Sequence, residues 1–492
     1  MGNNIQRKHM KKMGRKSLSC FLAINFVCLA MAGCGAGSSE NGQGSTTGSL
    51  VGGSTDSSDN SSVGSPANSP EGRQVLTVAA AQASRTTVEQ ISAYNESSES
   101  YFIAIKEYGD ARGAEGAENW DTQLTLDILS GKGPDMVIWD SYSYSPALAS
   151  EKLMADLYEL MEGDQDFHKA DYYENILQAF EMNGSLYMLP ASFSVETVYG
   201  KAEEIGTERD ATESWEVGEM IDAFENSPHV EWLTMNHSRE VAFRFVCQGC
   251  LGNYVDWSSG ECSFDSPAFV KLLELSETFP AQMMFEPDFS YCETLRSGKV
   301  LWEPSTLSSP WNVANDRTNL GDEDVCWPGY PVADGEKDLG SGVAVPGGES
   351  FSICRNSRNQ EAAWDVIKSF LTEEAQREVE DIPLMRSVSE ERIQDALTIE
   401  YETTNGATQE KVKYQVIVEG EETVNLSCIT EEDAEVYRSI IENTRRSYCN
   451  DPGMMDIIME EVRAYFEKDK DAAAVADIIQ NRVSIYVGER MK

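Results

Sequence analysis

Residues 131–144 read GKGPDMVIWDSYSY. Behind Gly133-Pro134, the run Met136-Val137-Ile138-Trp139 has the pattern of a short parallel strand covered on both faces. Asp140 and two tyrosines, Tyr142 and Tyr144, then follow where a core has no use for them. In open α/β sheets the carboxyl ends of strands face the ligand crevice. An indole and a carboxylate at that end therefore predict a binding site. The alternative reading puts Trp139 in the core and makes Asp140 a helix cap before Ser141.

On its N-terminal side this strand is preceded by a regular alternation. Val75–Ala80 reads as a strand, and residues 85–97 read as a helix with Val88, Ile91 and Tyr94 at three-residue spacing. Tyr101–Ile105 is a second strand. Asn119–Leu129 is a second helix, with Leu124, Ile128 and Leu129 on its apolar face and Gly131 to end it. The order β-α-β-α-β implies a parallel sheet with helices on its faces.

At 492 residues the chain exceeds what one hydrophobic core fills, about 250–300 residues, so two lobes are expected. Asp and Glu outnumber Lys and Arg 83 to 39, a balance that repels phosphate backbones and excludes nucleic acid as a partner class.

Residues 1–33 read as a secretory leader. Arg7, Lys8, Lys11, Lys12, Arg15 and Lys16 form a positive segment without acids, and Leu18–Met31 is apolar but shorter than the roughly 20 residues a spanning helix needs. The leader ends Leu29-Ala30-Met31-Ala32-Gly33-Cys34, which resembles a bacterial lipobox in which Cys34 is lipidated. Met31 stands where that pattern has leucine. Cleavage before Cys34 removes six positive charges and no negative ones, taking the net charge from −44 to −50.

From Cys34 to residue 73 the chain is a tether. Residues 35–72 hold 9 Gly and 11 Ser, a composition that buries too little surface to offset its ordering entropy. As a Gly-rich coil it reaches roughly 30–40 Å. Anchor, leash and folded domain together describe a protein held on the outer face of a membrane.

Eight cysteines remain in the mature chain beyond Cys34, an even number that permits disulfides without assigning any. Cys247-Gln-Gly-Cys250 has redox or zinc spacing, yet no second CxxC and no nearby histidine completes a site. Neither a metal nor an organic cofactor is expected. Catalysis is disfavoured as well: the mature chain has three histidines, His168, His229 and His237, and no H-E-x-x-H, G-x-S-x-G or G-x-x-x-x-G-K-[ST]. A two-carboxylate glycosidase stays open only because acids are abundant.

Five further stretches, in order, carry a resemblance. Leu126–Val137 is the first, followed by Asn183–Phe193, then Ser214-Trp215, then Asp256-Trp257 through Phe264-Asp265. Ser350–Ile353, leading to Glu361–Trp364 and Phe370-Leu371, completes the series. Together they resemble the family 1 extracellular solute-binding proteins, the maltose-type receptors of ABC importers. The resemblance implies an α/β, two-lobed periplasmic-binding-protein fold of type II, with the ligand in the cleft between two lobes joined by a hinge of several crossing segments. It places crossings near Pro190–Val198, Trp327–Val332 and Asp381–Val388. One lobe would comprise 74–192 with 336–384, the other 193–335 with 385–492. Residues 399–427 depart from the pattern, and the alternation Val412–Val418 suggests an added hairpin.

The resemblance also implies site residues. Trp139 occupies the position of a ligand-stacking tryptophan, with Asp140 beside it. Ser192 and Phe193 fall at the first crossing, Trp302, Glu303 and Trp311 near the cleft, and Trp327 and Tyr330 at the hinge. Trp215, Trp257 and Trp364 read as core. The expected function is capture of a carbohydrate, an oligosaccharide, by a lipid-anchored monomer that closes on its ligand and delivers it to permeases. A polyamine or peptide ligand is the alternative, as is a sensor role without transport.

Overall fold

The computed structural model describes residues 72–490, apart from 110–112, 141–147, 149–152, 207–212, 236–237, 258, 283–289, 322–323, 334, 336–338, 405–406, 418–422, 449–450 and 469. The leader, Cys34 and nearly all of the tether lie outside the described residues.

The alternation expected around the opening stretch is present: β1 (Gln74–Ala80), α1 (Arg85–Ser97), β2 (Tyr101–Glu107), α2 (Gly113–Leu129) and β3 (Met136–Trp139). Ser84 caps α1, its hydroxyl accepting from the Thr87 amide, as an N-cap serine does for an otherwise unpaired donor. Gly131, at φ 74°, terminates α2 in the left-handed region that favours glycine. Strands β2, β1 and β3 run parallel.

The short helices α3 (Leu157–Gly163) and α4 (Glu174–Ala179) lead to β4 (Leu189–Lys201), the longest strand. The second lobe follows with α5 (Ala202–Ile205), α6 (Val217–Asn226), α7 (Arg239–Cys250), the hairpin β5 (Val255–Asp256) and β6 (Glu261–Cys262), and α8 (Pro267–Glu277). Then come α9 (Tyr291–Arg296), β7 (Glu303–Leu307), α10 (Trp311–Leu320) and β8 (Val325–Cys326). The chain returns along β9 (Val343–Ile353), α11 (Gln360–Phe370), α12 (Glu373–Glu378), β10 (Ile382–Pro383) and α13 (Arg386–Leu397). Two hairpins stand where one was expected, β11 (Tyr401–Thr404) with β12 (Ala407–Glu410) and β13 (Tyr414–Val416) with β14 (Val424–Leu426). Three helices end the chain: α14 (Glu431–Asn443), α15 (Pro452–Phe466) and α16 (Ala472–Arg490).

The main sheet is mixed, in the order β10-β4-β9-β3-β1-β2, with β7 and β8 paired to β4. Its antiparallel half holds the crossings. Strand β9 pairs with β3 at one end, Trp139 opposite Ser350, and with β4 along its length, Val195 opposite Ala344. Strand β10 adds a third segment, Ile382 opposite Phe193. The stretches expected as the first and third crossings lie on β4 and at β10 with the start of α13, while Trp327–Val332 follows β8 and has Val332 bridged to Glu216.

Two apolar clusters form the interior. One runs from β1 and β3 through the crossing strands and includes Leu76, Val78, Trp120, Trp139 and Phe351. The other gathers Trp215, Phe243, Phe264 and Phe269 with Ile458 of α15 and Ile479 of α16. Residues 385–492 do not all join the second lobe: the Tyr173 hydroxyl donates to Ser389 of α13, and the Asn175 amide donates to the Ile441 carbonyl of α14. Both helices thus dock against α4. Across the lobes, α15 packs on α2, and Arg490 donates to Asp121 of α2 at 2.5 Å.

Among the described residues no helix is long and apolar enough to cross a membrane, and no group of acidic, histidine and cysteine side chains could hold a metal ion. Cys247 and Cys250 lie one turn apart on α7, both buried as free thiols.

Candidate functional site

Most of the aromatic residues singled out in the sequence are packed into the interior. Trp139 has no exposed surface. Its indole N–H donates to the Ser352 hydroxyl at 2.7 Å, which in turn donates to the Tyr187 carbonyl at 2.6 Å. Its ring meets Trp120 edge-on, centroids 5.9 Å apart. β3 is flanked by β1 and β9, so an inward ring there is sealed between the sheet and α2. An indole so enclosed has no face to offer a sugar, and the core alternative is the one its geometry fits.

Phe193 is likewise fully buried, edge-on to Tyr173 at 5.6 Å, and Ser192 is buried beside Gly347 of β9. Trp302 packs edge-on against Tyr330 at 6.0 Å, and both are buried. Tyr330 lies against Gly249 so closely that a Cβ there would fall 2.1 Å from its ring. Trp327 donates its indole N–H to Asp316 at 3.1 Å, with the Arg317 guanidinium 5.7 Å from its ring.

Glu303 is a buried carboxylate rather than a cleft-facing one. Burial pushes its pKa up to about 7, partly offset by the Met235 amide and by the Thr234 hydroxyl at 3.1 Å, which donate to it, and by Tyr291 at 3.4 Å. Asp316 is its counterpart on α10, also pushed up to about 7 by burial and held by Ser305 at 2.6 Å and by Trp327.

Two of the expected residues keep accessible surface. Asp140 is partly exposed at the carboxyl end of β3, and Trp311 is partly exposed at the start of α10. Trp311 lines an open pocket of about 510 Å³, within the ~300–1,000 Å³ range of small-molecule sites. Its other walls include Ser309, Arg377, Glu391, Arg392 and Asp395. The helix start that carries Trp311 is fixed locally, since the Asn312 side chain accepts from the Ser309 amide at 2.8 Å and the Ser308 amide at 3.1 Å. The facing wall comes from α12 and α13, on either side of β10. Arg377 pairs with Glu391 at 3.1 Å, and Arg392 donates to the Asp381 carbonyl at 2.6 Å.

Sequence reasoning missed this second wall. Its polar residues read as ordinary solvent-facing helix positions, and only their place on either side of β10 marks them.

A sequence profile described as bacterial extracellular solute-binding protein matches residues 115–390, more than half of the chain. The chain belongs to the bacterial extracellular solute-binding protein family. Several solved structures are similar to this solute-binding protein. The sugar-binding protein MalE from Xanthomonas citri is 12% identical, with 85% of this chain and 98% of that chain covered and a TM-score of 0.49. A cyclic α-maltosyl-1,6-maltose binding protein from Arthrobacter globiformis is 12% identical over 85% and 100%, at a TM-score of 0.47. An ABC substrate-binding protein from Listeria monocytogenes, in complex with cycloalternan, is 13% identical over 85% and 99%, at 0.47. No curated protein matches the chain. As a solute-binding protein it has a mixed α/β, two-lobed architecture, and the Trp311 pocket lies beside β10.

Proposed function

We propose that the protein is a lipid-anchored extracellular receptor of an ABC importer that binds a neutral oligosaccharide in the Trp311 pocket and passes it to permeases without chemical turnover. The observation that carries this reading is the composition of the pocket. An aromatic face suited to the apolar C–H side of a pyranose stands beside two guanidinium and two carboxylate groups whose charges cancel, Arg377 and Arg392 with Glu391 and Asp395. Carboxylates accept from sugar hydroxyls, guanidiniums donate to them, and neither sign is left over for a charged solute. The two guanidiniums also weigh against a polyamine, in spite of the acidity of the whole chain.

In this reading capture is by hinge closure, which a solute favours by its differential contacts with the closed arrangement. Cys34 supplies the anchor and residues 35–73 the leash in this reading, and the protein acts as a monomer.

A thermal-shift screen against mono- and oligosaccharides, polyamines and short peptides tests it. A ligand present at a thousandfold its Kd adds about 4 kcal/mol to stability, a shift that is easily measured. Trp311→Ala is expected to weaken sugar binding about tenfold, the share of an aromatic contact. Silence from every sugar with a response to a polyamine would overturn the carbohydrate assignment.

A further inference from the structure

We propose that the inserted hairpin β13–β14 is a positioning element of the solute pocket, with Tyr414 setting the attitude of the Trp311 ring and Lys413 holding Asp395 on the opposite wall. This rests on the reading of that pocket as the solute site.

The insertion is a closed excursion. The Ile429 amide donates to the Ala396 carbonyl at 3.0 Å, so the chain comes back to the end of α13 before α14 begins. Arg438 of α14 grips Glu390 of α13 with two hydrogen bonds, 2.9 and 2.6 Å. The two helices could therefore be joined by a short turn, and a detour far longer than the usual connection of about 4–6 residues needs another reason. Its apolar seat is small: Val416 and Cys292 are buried together, with Tyr291, Tyr414, Val424 and Leu426 around them.

What the detour delivers is two adjacent side chains on two walls. The Tyr414 ring lies parallel to Trp311, 11° between planes and 5.5 Å between centroids, and so occupies one face of the indole. Tyr414 is not itself among the residues that line the pocket. Lys413, buried along its stem, donates to the Asp395 carbonyl at 2.6 Å and lies 3.2 Å from the Asp395 carboxylate and 2.9 Å from Glu400. Trp311 and Asp395 both line the pocket, one from α10 and one from α13. Residues 413 and 414 thus tie together walls that belong to different elements, and Tyr414 does so behind the ring rather than in the solute's path.

The test uses the full chain and separates ring positioning from ligand identity. The Trp311 fluorescence is obtained as the difference between each protein and its Trp311→Phe counterpart, with acrylamide as quencher. Tyr414→Leu keeps apolar bulk but removes the stack, and is expected to shift the Trp311 emission and raise its quenching about twofold. Tyr414→Phe is expected to leave both as they are. Calorimetric titration with maltotriose and with mannobiose follows, where Tyr414→Leu is expected to lose about tenfold in affinity for whichever sugar binds, and Tyr414→Phe to retain it. Unchanged Trp311 emission and quenching in Tyr414→Leu overturns the proposal, as does undiminished affinity for a sugar the unaltered protein binds. A changed Trp311 signal in a protein that binds neither sugar supports the positioning role and counts against the carbohydrate reading.

Discussion

Trp139→Ala lowers the stability of the fold by about 3–5 kcal/mol, the range for deleting a large aromatic side chain from a packed interior. The cost has three sources: the lost burial, the cavity left against Trp120, and the Ser352 hydroxyl deprived of its indole donor. Urea unfolding measures it directly. At temperatures where the variant stays folded, solute affinity is expected to be unchanged, because the indole is enclosed on all sides. A variant that unfolds like the unaltered protein but no longer binds solute would return Trp139 to the site and overturn the core assignment.

Raising the pH from about 5.5 to 8.5 destabilises the protein. Glu303 and Asp316 are both pushed up to about 7 by burial, from ordinary values of 4.5 and 3.8. Between those limits the folded state holds protons that the unfolded chain has released, so ΔG of unfolding falls as pH rises. The contribution is fully present below the unfolded values and is lost as pH passes through about 7. In full it is on the order of 3–4 kcal/mol for each group.

Carboxylates shifted the other way act at the acid end. Lys368 holds Asp164 below its usual range, and Lys411 and Lys413 hold Glu400 at about 2, so their stabilisation is lost as pH falls. The melting temperature should therefore peak at about pH 4–5. Glu303→Gln combined with Asp316→Asn is expected to flatten the alkaline limb. A melting temperature that is level from pH 5.5 to 8.5, or an alkaline decline that survives in the double variant, would contradict the assignment of these two groups.

The N-terminal lobe was legible because its signals are local. The helix over 85–97 was set by apolar spacing, and the strand at Met136 by Gly133-Pro134 before it. The crossing strand β9 was harder to read, since Val343–Ile353 acquires its role only by pairing with β4 and β3, far away in sequence. The site was less legible for a related reason. Tryptophan looks the same in sequence whether its ring is enclosed or presented, and the side of the sheet on which Trp139 falls is fixed by α2 packing over it. Trp311, grouped with the cleft candidates, keeps its surface because it opens a helix at the rim of its lobe. The wall opposite it, Arg377 to Asp395, comes from helices whose charged residues read as ordinary solvent-facing positions.

The shared strand β9 also orders events in time. The first lobe contains β1, β2 and β3, all within the first 139 residues, yet the antiparallel neighbour of β3 is not available until residues 350–353 have been made. A chain that emerges N-terminus first cannot complete that lobe until most of its length is free. Pairings of such long range close slowly, because the loop entropy must be overcome before the contacts form. The sheet of the early part of the chain is therefore finished last, by the strand that pairs with both β3 and β4.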